Sequence, residues 1–180
     1  MTASITRATC GATSAKRTIA FRVYVDQNLK TTPTEFATRL RAVLCDQRSW
    51  VGGKRVRFRY DPKGALLYGL RSPDHTETRC QQLIGLSVNR TYSCATHQEI
   101  VLNSARWFGG SESWPGPVPE YRRMLVDHET GHALGLRHQQ CPRDGALAPV
   151  MMQQSKGLTS SNGSTCKRNP WPLPEELARV

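Results

Sequence analysis

The stretch Pro119–Gln140, PEYRRMLVDHETGHALGLRHQQ, decides how the rest of the chain is read, because it gathers His128, Glu129, His132, Gly135 and His138. An α-helix turns once in about 3.6 residues, so His128 and His132 project from one face, one turn apart, as two ligands of a single ion require. Glu129 is next to the first of them. Its carboxylate can reach a water at the metal without itself being a ligand, which is the placement of a general base. Gly135 can take the left-handed conformation that ends a helix and turns the chain back. That turn delivers His138 as a third imidazole. Three imidazoles leave one tetrahedral position open, the donor set of a catalytic zinc rather than a closed structural one.

With Gly135 and His138 in register, the pattern H-E-x-x-H-x-x-G-x-x-H resembles that of the metzincin metallopeptidases at all five fixed positions. The resemblance implies an α+β zincin with a mixed twisted sheet, two long helices and a loop-rich C-terminal part. It also implies a methionine turn beneath the metal, for which APVMMQQS offers Met151 and Met152. Met151 fits the pattern better, while either one reads equally well as a core gap filler. Further stretches are similar to a group of actinobacterial secreted proteins known as a domain of unknown function with the same zinc motif. They are FRVYV, RSW followed by RVRF, IVLNSARW, YRRMLVDHETGHALG, and APVMMQQSKGL followed by Cys166 and NPWP. This likeness covers most of residues 18–172 and implies zinc and peptidase activity without supplying a substrate. Some metzincins place a tyrosine just after the methionine turn; here no tyrosine follows Tyr121.

At 180 residues the chain suits one core rather than two ordinary domains. The expected organisation is a flexible tail over 1–17 and a single zincin-like domain over 18–180, with subdomains 18–138 and 139–180. Hydrophobic residues make up 38% and charged residues 22%, a globular balance, and no apolar run approaches the roughly eighteen residues of a membrane span. Formal net charge is +11. The basic residues are scattered rather than clustered with aromatics, which argues against nucleic acid. Steering toward acidic substrates, or electrostatic association with an anionic cell envelope, is the expected use of the charge. The partner is then a peptide or protein substrate, and the protein is expected to be a monomer.

Six cysteines without a C-x-x-C pair read as disulfides in an oxidising compartment, so the protein is expected to be secreted. Fifteen pairings are possible. Proximity favours Cys80 with Cys94, and Cys141 with Cys166 closing the loop of the methionine turn, which leaves Cys10 with Cys45. MTASITRATCGATSAKRT has no apolar export region, so a signal segment is expected to have preceded this sequence.

TIAFRVYVD alternates apolar and other residues as a half-buried strand does, and KRVRFRYD does the same. Between them the spacing of Phe36, Leu40, Val43 and Leu44 predicts a helix over 33–48 that starts at Pro33. ALLYGL is a third strand, and 71–90 is expected to be irregular and stapled by its cysteines. Glu99–Asn103 is a fourth strand; in the arrangement the metzincin resemblance implies it is the candidate edge strand that pairs with extended substrate, and an interior strand is the equal alternative. GGSESWPGPVP is a loop whose Trp114 either lines a specificity pocket or packs. Pro119 and Glu120 open the zinc helix, and a short helix closes the chain over 175–178. His75 and His97 are expected at the surface, and Asp127, just before the first histidine of the motif, reads as a solvated helix aspartate in preference to a group that orients a neighbouring ligand.

The sequence thus predicts a secreted zinc endopeptidase with His128, His132 and His138 as ligands and Glu129 as general base. Two other readings of the same motif are a zinc-containing envelope module without catalysis and a zinc amidase acting on cell-wall peptides.

Overall fold

A computed structural model describes residues 5–180. Residues 1–4 of the expected tail lie outside the described residues. Cys10 exchanges both backbone hydrogen bonds with Phe58 and is bonded to Cys45, so this leading segment is fastened to the sheet.

Five strands form one mixed sheet: β1 (Arg17–Val25), β2 (Val56–Tyr60), β3 (Leu66–Arg71), β4 (Cys94–Ala95) and β5 (Glu99–Asn103), in the order β2-β1-β3-β5-β4. The first four in that order are parallel, and β4 alone runs antiparallel, against β5. The short link after β2 crosses β1 at Phe21, whose carbonyl accepts from the Asp61 N–H, so β2 and β3 flank β1 on opposite sides.

Alternation sends Phe21, Phe58, Tyr68, Leu70, Ile100 and Leu102 to the face that carries the main core. There they meet α1 (Pro33–Leu44) and α4 (Val118–Ala133). Val101 points the other way, against Cys80 and Cys94 beneath α2 (Pro73–Ile84). Two short helices complete the chain, α3 (Ser104–Gly109) and α5 (Pro174–Leu177). No helix among the described residues is long and apolar enough to cross a membrane. All six cysteines are paired as expected: Cys10–Cys45, Cys80–Cys94 and Cys141–Cys166.

Three expectations need correction. α1 stops at Leu44 rather than at 48, where Cys45 caps it and Asp46 accepts from the Arg48 backbone. The segment expected to be irregular holds α2, a third helix of twelve residues, capped by Ser72 and ended by Gly85 in the left-handed conformation. Its buried face is only Thr76 and Cys80, too thin to show as an apolar stripe. α3 follows β5 directly, with the Asn103 side chain capping it. Finally, β5 is not an edge strand. Its five residues are all buried between β3 and β4, as suits the unbroken apolar run Ile100–Leu102, and the edge belongs to β4.

Gly131 shows how closely α4 is packed. A Cβ there would overlap the Met151 sulfur and sit 2.9 Å from the Trp50 ring. Gly131→Ala is therefore expected to lose about 1–3 kcal/mol, as overpacked cores do, measured by urea unfolding of the metal-free protein. A variant as stable as the parent would mean that this contact yields without strain.

Candidate metal centre

One face of α4 builds the site. Tyr121, Met124, Leu125, His128 and His132 recur at helical spacing and line a cleft of about 310 Å³, which His138 and Glu129 also enter. Opposite α4 the cleft is walled by the segment between α2 and β4, with Cys94 and Ala95 at its rim, and by Gln153–Lys156.

His128 Nδ1 lies 2.8 Å from the Val150 carbonyl, and His132 Nδ1 lies 2.9 Å from that of Leu136. A carbonyl only accepts, so each ring carries its proton on Nδ1 and presents the lone pair of Nε2. α4 ends in a Schellman turn: Gly135 has φ +100°, its N–H donates to His132 O, and the Leu136 N–H donates to Gly131 O. This turn returns the chain and sets His138 Nε2 3.0 Å from His132 Nε2. The candidate ligand atoms of the three histidines lie within 4.8 Å of one another. A tetrahedral site with bonds of about 2.0–2.1 Å has edges near 3.3 Å, so the cluster has the right size.

The site's electrostatics also suit a cation. Burial, then the neighbouring His132, pushes His128 down to about 3; burial, then His132 and Lys156, pushes His138 down to about 4. Burial lowers His132 as well. All three are thus neutral at pH 7, the state in which imidazole ligates. Glu129 is buried, its Oε2 has no hydrogen-bond partner among the described residues, and burial pushes its carboxyl up to about 8. An unpartnered buried carboxyl beside three converging neutral imidazoles fits a divalent ion held by them.

A pH dependence follows for the metal-free protein. Glu129 holds its proton up to about 8 when folded, against an ordinary value of 4.5, so between those pH values the folded state binds more protons than the unfolded one. Stability from this group is complete below 4.5 and is lost as pH rises toward 8. Between pH 5 and 8 the parent should lose, relative to Glu129→Gln, on the order of a few kcal/mol of unfolding free energy in urea titrations. Parallel pH profiles for the two proteins would contradict this.

Apart from Asp127, the support beneath the triad comes from residues the sequence did not single out. Asp127, expected to be solvated, is fully buried: Oδ1 accepts from Ser49 Oγ at 2.7 Å, and burial raises its carboxyl well above the usual range. Ser49 and Trp50 come from the distant turn after α1, and the Trp50 indole donates to the Asp127 carbonyl. From β3, the Tyr68 hydroxyl is bonded to Thr130. The Glu176 carboxylate on α5 accepts from the backbone N–H groups of Val150, Met151 and Leu173 at 2.8–2.9 Å. It thereby holds the segment whose Val150 carbonyl orients His128. Met151 packs in the main core against α4, whereas Met152 belongs to the small cluster around Cys141–Cys166.

His75 and His97 are exposed; they bond to Asp26 and to the Ala133 carbonyl and stand apart from the triad. Trp114 packs edge to face against Tyr121 and does not line the cleft.

A family model described as "Protein of unknown function (DUF3152)" matches residues 3–174. No curated protein matches the chain.

Proposed function

The chain belongs to the DUF3152 family of proteins of unknown function, and from the residues it brings together we propose that it is an extracytoplasmic zinc endopeptidase of the metzincin type. The observation that carries this reading is the convergence of three neutral imidazoles and one buried, unpartnered carboxyl on a single cleft. His128, His132 and His138 would hold zinc through Nε2. Zinc there supplies a Lewis acid for the peptide carbonyl and eases deprotonation of water.

Glu129 takes the proton of the attacking water and returns it to the leaving amine, so that the carboxylate is regenerated in each turnover. The outer edge of β4 offers main-chain donors and acceptors to an extended substrate, the role first expected of β5. Three disulfides support an oxidising, extracytoplasmic setting. A binding module without catalysis has no need of Glu129, since no partner among the described residues engages its Oε2.

The test is cleavage of a diverse peptide library by the zinc-loaded protein, read by mass spectrometry, with zinc content measured in parallel. Cleavage that a chelator abolishes, together with loss of zinc in His132→Ala, is the expected result. One zinc per chain with no cleavage would sink the peptidase and favour the binding module. Full zinc content in His132→Ala would remove that ligand.

A further inference from the structure

The cleft holds two cations that the catalytic reading does not use. Arg106, on α3, is half-buried; its Nε donates to Thr91 O and its Nη1 to Gly110 O, both at 3.2 Å. Those carbonyls fix the direction of the guanidinium and leave its charge uncancelled. Lys156 follows the methionine segment, with its Nζ 5.1 Å from the centroid of the Tyr92 ring, and the Arg106 guanidinium lies 5.8 Å from the same centroid. Neither cation forms an ion pair among the described residues. Among the residues lining the cleft, Glu129 is the only acid.

Two like charges held against one ring repel, and an anion placed between them converts that repulsion into two attractions. The walls nearby are apolar, with Val88 and Leu125 among them, so such an anion would be only partly solvated and its contacts correspondingly stronger. The hydroxyls of Tyr121 and Ser155, hydrogen-bonded to each other at 2.8 Å, line the same cleft and keep one O–H between them to donate. A guanidinium and an ammonium lining one cleft offer a carboxylate a forked donor and a point charge.

We infer that the cleft recognises its peptide substrate through a carboxylate bound by Arg106 and Lys156. The ligand is therefore a peptide carrying either an acidic side chain or a free C-terminus in the cleft that holds the histidines. This rests on the peptidase reading only for the ligand being a peptide.

The test uses the zinc-free protein, so that binding is measured apart from turnover. Isothermal titration calorimetry compares acetyl-Leu-Glu-amide with acetyl-Leu-Gln-amide, and acetyl-Leu-Leu with its C-terminal amide. The charged member of at least one pair should bind roughly tenfold or more tightly than the neutral one, as charge-assisted hydrogen bonds allow. The first pair reports a side-chain carboxylate and the second a C-terminal one. Lys156→Gln should reduce the preference, and Arg106→Gln with Lys156→Gln should abolish it. Lys156 is exposed, so its single variant still decides the matter if the Arg106 change prevents folding. Equal binding within both pairs, no binding by any peptide, or a preference untouched by Lys156→Gln would overturn the inference. A charge preference in a protein that cleaves nothing would leave this site standing and sink the peptidase; cleavage without charge preference would do the reverse.

Discussion

Zinc-loaded Glu129→Gln is expected to keep one zinc per chain and to lose about 10²- to 10⁴-fold in kcat/KM, the range supplied by a positioned general base. The amide preserves the size of the side chain in its buried place and cannot accept the water's proton. None of the three imidazoles bonds to Glu129, so the hold on zinc proposed for them would not depend on it. The rate is read on whichever peptide the library identifies, with zinc quantified in the same samples. Retention of kcat/KM within about tenfold would place the base elsewhere. Loss of zinc would show that the carboxylate serves the metal rather than the proton.

The second large effect is expected from Glu176→Ala. Three backbone N–H groups lose their acceptor, and Val150 and Met151 are fully buried, so water has no access to replace it. Each buried donor left unpaired costs about 1–3 kcal/mol, which puts the loss at about 3 kcal/mol or more by urea unfolding. The same change frees the Val150 carbonyl that fixes the His128 ring. Zinc affinity should then fall by roughly 10- to 100-fold, as it does when a ligand's hydrogen-bond partner is removed. Glu176→Gln keeps an acceptor oxygen and should recover part of both. A large loss of stability with unchanged zinc affinity would show that the carboxylate supports the fold without positioning the ligand.

What could be read beforehand follows the reach of each interaction. The strand alternation around Phe21 and Phe58, the Thr32–Glu35 capping box of α1, and the Gly135 turn are local, and each carries its signal within a few residues. The ligand set belongs to this class, since His128, His132 and His138 are placed by one helix and the turn that ends it. α2 is equally local, with a Ser72 cap, Pro73 and Gly85, but its buried face has too few apolar side chains to announce it. Sheet order was not legible, because β5 owes its interior place to β4, a strand of 2 residues just before it that is too short to show an alternation. Ile100, Val101 and Leu102 in succession were the available sign that both its faces are covered. The support of the site was the least visible part. Ser49 reaches Asp127 across 78 positions of sequence, and nothing near Asp127 shows that the helix face it occupies is turned inward.

The clamp that Glu176 places on Val150 bears on how the protein matures during synthesis. α4 is stabilised by bonds within itself and can wind while the chain is still being made, giving a nascent polypeptide two of the three candidate ligands early. The carboxylate that steadies the carbonyl behind His128 arrives 26 positions after Val150. A chain stalled or cut before residue 176 therefore possesses all three histidines and lacks the brace behind the first of them, and on the zinc reading proposed above tight metal capture would wait for the last turn of helix to dock.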